Sequence, residues 1–387
     1  MGNKISMSVK LFQPRSLTQT FTYYWMNLPK FIPKCAEKSL SPLERLKNTM
    51  IFAVSGLYFG SMQLKPFNPL ISETFQGYFD VPDKEKEGKE RTVSETLVEH
   101  KMKFKCSEWN NRAFRDFNTT SDQIESQRIS KDAVIEVYTE QISNYPTVTR
   151  FYVKNKHFIM HGYFDISLKV ESFGNKIITF TKGYTCVEFP EIGEKIMYSM
   201  PNAKLLNAIS KTDRSAFYIG LMSFVDVKNS LRGLVYFGRN EEKIHEIQGC
   251  IFKHKFDNHY SFNFDVEYNK YKKIKIKKEI GKDIVAYMTG SWLEQLKFDN
   301  KIYWDIKKDK PTWIKPCTSC LPSDSRFRED LIWLFRSFYC AKNEKDREKY
   351  EKLANEWKLI LEKLQRIERE NKAKQAEERE KLRKKNK

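Results

Sequence analysis

Between Val148 and Tyr287 the chain reads as one short alternating segment after another, and that run limits its fold more than any other feature. FYVKNKHFIMHGYFDISLKVESF, IITFTKGYTCVEF, AFYIGLMSFVDV, LRGLVYFG, IHEIQGCIFKHKF, YSFNFDVEY and KIKIKK place apolar residues at a period of two and are bounded by Asn, Gly or Asp. Ile274 and Ile276, set against Lys273, Lys275 and Lys277, show the alternation plainly. Seven or more such strands with no helical pattern between them predict an antiparallel sheet that curls on itself, because curling removes exposed edges. A barrel of that size has room for a ligand. The 14% of aromatic residues, against only 15 Gly, suits a β-rich chain.

Upstream, Leu64 to Gly77 (LKPFNPLISETFQG) is a stiff, extended stretch. Pro66 and Pro69 fix φ and keep their neighbours out of helix, so Lys65 and Asn68 are presented from backbone that holds polar groups still. Taken alone, the stretch reads more readily as a proline-rich turn with a solvated lysine. It follows the uncharged run Thr49 to Leu64, which reads as a buried element, and precedes the alternating Phe75, Tyr78 and Phe79. Phe21 to Leu28 and Ser41 to Phe59 read as helices. In the second, Pro42 sits in the first turn behind Ser41, and Leu43, Leu46, Met50 and Val54 share a face.

Tyr78 to Thr139, heavily charged from Asp83 to Arg91, reads as an insertion that is partly a surface loop. Tyr339 to Lys387 has neither proline nor glycine and mixes charges throughout, which predicts a long helix with a frayed basic end from Glu380 onward. Within it Lys358, Glu362 and Arg366 recur at i, i+4 and i+8 and so share one stripe. A solvated, salt-bridged helix accounts for that spacing equally well. The whole chain is expected to be one domain: a segment 1–77 with helices, the insertion 78–139, barrel strands over 140–320 and a helical region 321–387.

The formal charge of +19 favours anionic partners, phospholipid surfaces or nucleic acid, without choosing between them. The seven cysteines are odd in number and scattered, and no secretory signal precedes them, so a reduced, cytoplasmic protein is expected. Cys317 and Cys320 form a lone CxxC, weak as a zinc signal without a second pair. His157 and His161 lie four apart in an expected strand, with no carboxylate or cysteine beside them in sequence, and read as ordinary surface or core histidines. No metal set is expected. Thr49 to Leu64 is shorter than the ~20 apolar residues that a spanning helix needs. MGNKIS at the start fits the myristoylation pattern, with Gly2 as acceptor.

Several stretches, in one order, carry a likeness. They are Ile5 to Ser16, KPFNPLISETFQG, YTEQISNYPTVTRFYV over Tyr138 to Val153, EKIMYSMPNAKL over Glu194 to Leu205, the triplet Gly290-Ser291-Trp292, LPSDSRFRED over Leu321 to Asp330, and KLILEKLQR, with Lys358, Leu361, Glu362, Gln365 and Arg366 at the fixed positions. Together they resemble the oxysterol-binding protein family. The resemblance implies an incomplete antiparallel barrel enclosing a lipid tunnel, and an anionic head group held at its mouth by Lys65, Asn68, Lys358, Glu362 and Arg366. The family's fingerprint has Glu-Gln-x-Ser followed by His-His-Pro-Pro. Here Glu140, Gln141, Ser143 and Pro146 match, while Asn144 and Tyr145 replace the two histidines and Thr147 the second proline. An amide and a phenol still donate hydrogen bonds, but not the charge-assisted bond of an imidazolium. The resemblance would place an amphipathic lid before Ile5, and from the four residues there a full lid is not expected.

The expected function is therefore extraction and transfer of single lipids, either sterol or anionic phospholipid and phosphoinositide, between membranes. The cargo takes the place of any cofactor and anionic membrane surfaces are the partners. No nucleophile with a paired base or Gly-rich phosphate loop suggests an enzyme. A membrane-associated sensor or tether without exchange is the alternative. Nucleic-acid binding rests only on the basic helix and is not expected.

Overall fold

The computed structural model describes residues 12–61, 65–81, 134–172, 175–208, 215–257, 259–274, 276–316, 334, 337, 338 and 341–385. Gly2, Cys317, Cys320, residues 321–330 and most of the insertion lie outside the described residues. β1 (Phe12–Ser16) and β2 (Lys65–Phe67) form a small parallel pair. The remaining strands make one fourteen-stranded antiparallel sheet. They are β3 (Thr74–Asp80), β4 (Val134–Asn144), β5 (Thr147–Lys154), β6 (Ile159–Glu171), β7 (Lys176–Phe189), β8 (Glu194–Tyr198), β9 (Asn202–Leu206), β10 (Ser215–Asp226), β11 (Leu231–Phe237), β12 (Glu246–Lys253), β13 (Ile284–Ser291), β14 (Gln295–Phe298), β15 (Lys301–Asp305) and β16 (Lys315–Pro316). Their order is β15-β14-β13-β12-β11-β10-β8-β7-β6-β5-β4-β3-β16, with β9 paired to both β7 and β10. The sheet is a meander that does not close, an incomplete barrel as expected. Tyr78 to Asp80 and Val134 to Thr139 belong to paired strands, in register as Tyr78 with Glu136 and Asp80 with Val134, so the stretch between the strands begins later and ends earlier than the expected 78–139.

The inner face is defined by what it packs against. One apolar cluster joins Phe79 of β3 and Trp304 of β15, near opposite ends of the strand order, with Val187, Phe224, Val235 and Met288 from strands between them and with Met50, Val54 and Leu57 of the helix α3 (Pro42–Ser61). Helix α3 is buried from Arg45 through Leu57, which explains why Thr49 to Leu57 carries no charge, while the two buried cations before it, Arg45 and Lys47, are paired with Glu194 and Glu44. It approaches so closely that a Cβ on Gly233 of β11 would lie 2.6 Å from the Met50 sulfur, and one on Gly56 would lie 1.9 Å from the Tyr24 carbonyl oxygen. Among the described residues no helix is long and apolar enough to cross a membrane.

Four expectations need correction. Phe21 to Leu28 is not one helix: α1 (Leu17–Thr20), capped by Ser16, runs into a 3-10 turn over Phe21–Trp25, and α2 (Leu28–Cys35) starts afresh after Asn27. The break is anchored by Asn27, whose Nδ2 donates to Ser55 Oγ of α3 at 2.9 Å. YSFNFDVEY and KIKIKK are not strands, and helices do intervene between β12 and β13: α4 (Phe264–Tyr271) and α5 (Ile276–Glu279). At α4 the Asn263 side chain accepts from the Val266 amide, with Asp265 and Glu267 in the first turn, a strong start signal that local alternation obscured. Glu267 and Tyr271, four apart, are the buried pair, and Val266 is exposed. The C-terminal helix α6 (Glu344–Lys385) stays helical through Lys385, so Glu380 to Lys385 does not fray. His157 precedes β6 rather than lying in it, and carboxylates do join both histidines: His157 Nδ1 lies 3.1 Å from Glu191 Oε1, and His161 Nε2 3.4 Å from Glu188 Oε1.

Candidate lipid head-group site

The site is built where the two ends of the chain meet. In the β1–β2 pair Phe12 lies beside Lys65 and Ser16 beside Phe67, and the Phe12 and Phe67 rings stack with centroids 5.1 Å apart. Proline accounts for the brevity of β2: Pro66 lacks an N–H, so this short edge cannot extend into a wide ladder. Helix α6 covers the pair with Leu353, Ala354, Trp357 and Leu361, which join Phe12, Phe67 and Leu70 in a second apolar cluster. That spacing is helical, and Lys358 falls within the same stripe, four residues after Ala354 and three before Leu361. Lys358 is consequently buried, a rare place for lysine, while Lys65 keeps solvent contact.

Both ammonium groups face one aromatic ring. Lys65 Nζ lies 4.8 Å from the Phe12 centroid and Lys358 Nζ 5.4 Å from it, each within cation–π range. Glu362 answers with one carboxylate, its Oε1 2.9 Å from Lys358 Nζ. Desolvation by the surrounding chain lowers the pKa of Lys65, the Lys358 charge lowers it further, and Glu362 partly offsets both. The cluster thus gathers two cations about one anion, a local positive field partly withdrawn from water.

Arg366 stands apart. Eight residues along α6 from Lys358, it is displaced by about 12 Å along the axis. Its side chain is exposed and its Nε donates to the Glu362 carbonyl at 3.2 Å, so it extends the stripe outward. Asn68 is likewise exposed, between buried Phe67 and buried Pro69.

Asn144 and Tyr145 sit at the β4–β5 turn, where Asn144 pairs with Thr147 and Tyr145 is 85% exposed. The turn is tied to the segment after β2 by the backbone: Ser72 N donates to Gln141 O at 2.7 Å and Gln141 N to Glu73 O at 2.9 Å. Gln141 is fully buried. Its Oε1 accepts from Thr149 Oγ1 at 2.6 Å, while its Nε2 donates to Ser143 O at 2.6 Å and to Asn144 Oδ1 at 3.0 Å. The conspicuous Glu-Gln-x-Ser therefore works here as a clamp that shapes the turn. Gln141 holds Asn144 by its acceptor atom.

Sequence reasoning missed Phe12 and Glu73, and noted Gln141 only as a match to the fingerprint. Glu73 is a buried carboxylate that accepts from the Leu70 amide at 2.9 Å and from Thr18 Oγ1 at 3.4 Å, and so sets the path of the loop after Asn68. Its position inside SETFQG was the available signal. Nothing in the sequence around Phe12 indicates that it will lie under two lysines.

Comparisons with known proteins agree with this architecture. A family model described as oxysterol-binding protein matches residues 3–385. The chain is 25% identical over 340 residues to oxysterol-binding protein 9 of Dictyostelium discoideum, covering 84% of this chain and 63% of that protein. It is 23% identical over 377 residues to human oxysterol-binding protein-related protein 8, covering 94% of this chain and 33% of that one. The chain thus spans less than two thirds of the length of these curated relatives. Among solved structures it is similar to the Osh3 ORD of Saccharomyces cerevisiae in complex with PI(4)P, with a TM-score of 0.56, 18% identity and 97% and 82% of the two chains covered. It is also similar to the Osh1 ORD domain in complex with ergosterol, with a TM-score of 0.55, 14% identity and 96% and 77% covered. A family match over nearly its whole length, on an incomplete antiparallel barrel joined to a long C-terminal helix, places the chain in the oxysterol-binding protein family.

Proposed function

We propose that this protein binds single lipids and transfers them between membranes, with the head group at the Lys65–Lys358 cluster and the apolar part enclosed by the curled sheet. The observation that carries the reading is the convergence of Lys65 and Lys358, more than 290 positions apart in the chain, on the ring of Phe12. A phosphate or carboxylate arriving there relieves the repulsion between the two ammonium groups and offsets the desolvation of Lys65. Glu362 orients Lys358 and is a suitable acceptor for a head-group hydroxyl. Asn68, Asn144 and Tyr145 supply neutral donors, and Arg366 reaches parts of the head group farther out. Each buried methylene of the cargo contributes about 0.8 kcal/mol, which adds up to enough to lift a lipid from a bilayer.

PI(4)P and ergosterol are named in the structures of two similar domains. An anionic phospholipid or phosphoinositide is the cargo that two lysines favour, and the excess positive charge of the chain favours docking on anionic cytoplasmic membrane surfaces at about 1 kcal/mol per lysine or arginine near the surface. The function is carriage: no bond of the lipid is made or broken and no cofactor takes part.

Extraction of labelled lipids from vesicles tests this. Replacing both Lys65 and Lys358 by Ala is expected to lower uptake of phosphatidylinositol 4-phosphate and phosphatidylserine more than about tenfold, since each lost charge-assisted bond is worth about 1.5–3 kcal/mol. Sterol uptake is expected to change little. Undiminished uptake of every anionic lipid by that variant sinks the head-group assignment. Vesicle binding without transfer by the unaltered protein favours the tether instead.

A further inference from the structure

On the outer face of the sheet, away from the head-group cluster, β6 and β7 bring together three groups that sequence spacing keeps far apart. His161 of β6 lies directly across from Cys186 of β7, and Glu188 follows two residues later on the same side of the strand. One ligand atom from each, the imidazole nitrogen, the sulfur and a carboxylate oxygen, lies within 4.8 Å of the other two. His161 Nε2 is 3.4 Å from Glu188 Oε1, and Cys186 Sγ is 3.9 Å from the same oxygen.

Those separations can be set against what a metal requires. Ligands held tetrahedrally at ordinary zinc bond lengths stand about 3.4 Å apart for nitrogen to oxygen and about 3.6 Å for sulfur to oxygen. The nitrogen-to-oxygen edge already matches, the sulfur-to-oxygen edge is a few tenths of an ångström long, and the sulfur-to-nitrogen edge, within 4.8 Å against about 3.6 Å, closes by up to about 1.2 Å when the ion binds. Tight pairing of β6 and β7 over Ile159 to Glu171 fixes the backbone positions of the three residues, so rotation about their side-chain bonds is all that closing the site requires. A thiolate and a carboxylate together cancel the charge of a divalent cation, and so Lys195, which faces Glu188 from β8, is not repelled by the filled site. Imidazole and thiolate select a borderline-soft ion over magnesium or calcium.

We propose that His161, Cys186 and Glu188 form a binding site for a single Zn²⁺-class cation, with water at the fourth position. His161 and Glu188 have side chains 34% and 39% exposed, which leaves the ion an approach from solvent, while Cys186 is 3% exposed and closes the inner side. The competing reading, a cysteine nucleophile activated by histidine, meets an obstacle: the burial of Cys186 denies a substrate access. The site shares no residue with the head-group cluster and stands whether or not the protein carries lipid.

Cobalt(II) added to the full, reduced chain is the test, because a thiolate ligand gives cobalt a charge-transfer absorption that a carboxylate or imidazole alone does not. The unaltered protein is expected to show that band at one equivalent and to lose it when zinc is added. Cys186→Ser abolishes it, and His161→Gln and Glu188→Gln each weaken cobalt affinity at least about tenfold. The two latter substitutions lie on half-exposed side chains and keep the test decisive if Cys186→Ser does not fold. The double variant Cys317→Ser with Cys320→Ser retains the band. Absence of any thiolate–cobalt band, or a band that survives Cys186→Ser and disappears with the Cys317 and Cys320 pair, overturns the proposal.

Discussion

Lys65 shows how a residue's chemistry is made by its neighbours. A lysine beside two prolines in an exposed segment would titrate like any other, but the approach of α6 removes part of its water and sets a second ammonium against it. Because the folded-state pKa is lowered, the charged form costs stability at every pH below that value, and the cost disappears as the pH rises through it toward the ordinary 10.5. The stability difference between Lys65→Met and the unaltered protein should therefore shift in favour of the variant at neutral pH relative to pH 10.5. Lys65 retains solvent contact, so the shift is less than about 1 kcal/mol, readable as the change in denaturation midpoint across that window. No shift, or one of opposite sign, would remove the crowding that the head-group reading requires. That Lys358, Glu362 and Arg366 share one helix stripe was legible from spacing, whereas Lys65 was singled out by the neighbouring prolines and by the resemblance. Phe12, the ring that receives both lysines, was not, because which aromatic a lysine meets depends on how two distant segments pack.

At the scale of elements, periodicity identified most strands and the long helices, and failed where two signals competed. In YSFNFDVEY the alternation of Phe262, Phe264 and Val266 suits a strand, yet Asn263 caps a helix whose buried pair, Glu267 and Tyr271, follows a period of about four. The cap prevails because that register delivers Glu267 to Arg232 of β11, where it also accepts from Ser223 Oγ at 2.7 Å and from Tyr260 OH at 2.9 Å. Asn263→Ala is expected to cost about 1 kcal/mol by removing the cap, measured by chemical denaturation, with α4 losing amide-exchange protection before its neighbours. If that segment keeps its protection unchanged, the cap does not decide its structure.

For the molecule as a whole, the question is what holds the N-terminal helices against the sheet. Arg45 of α3 gives one answer: buried to 2%, it donates to the Cys35, Leu40 and Glu37 carbonyls at 2.6, 2.9 and 3.2 Å, and to Glu194 of β8 at 2.5 Å. It joins two helices and a strand in one network. Arg45→Ala is expected to destabilise the protein by about 3–5 kcal/mol, since it strands a carboxylate and three carbonyls at a buried junction. A loss below about 1 kcal/mol in a denaturation series would show that apolar packing alone seats α3.

The sequence by itself determined the strand-rich class, the helix over Ser41 to Phe59, the stiff segment around Lys65 and the charged stripe on the last helix, because each rests on local rules of periodicity, proline geometry and charge spacing. Only the tertiary structure decided that Lys65 and Lys358 share the ring of Phe12, that Gln141 clamps a turn, and that His161 meets Cys186 and Glu188. Those are contacts across long stretches of chain, and they depend on strand register and helix docking, which local preference does not encode.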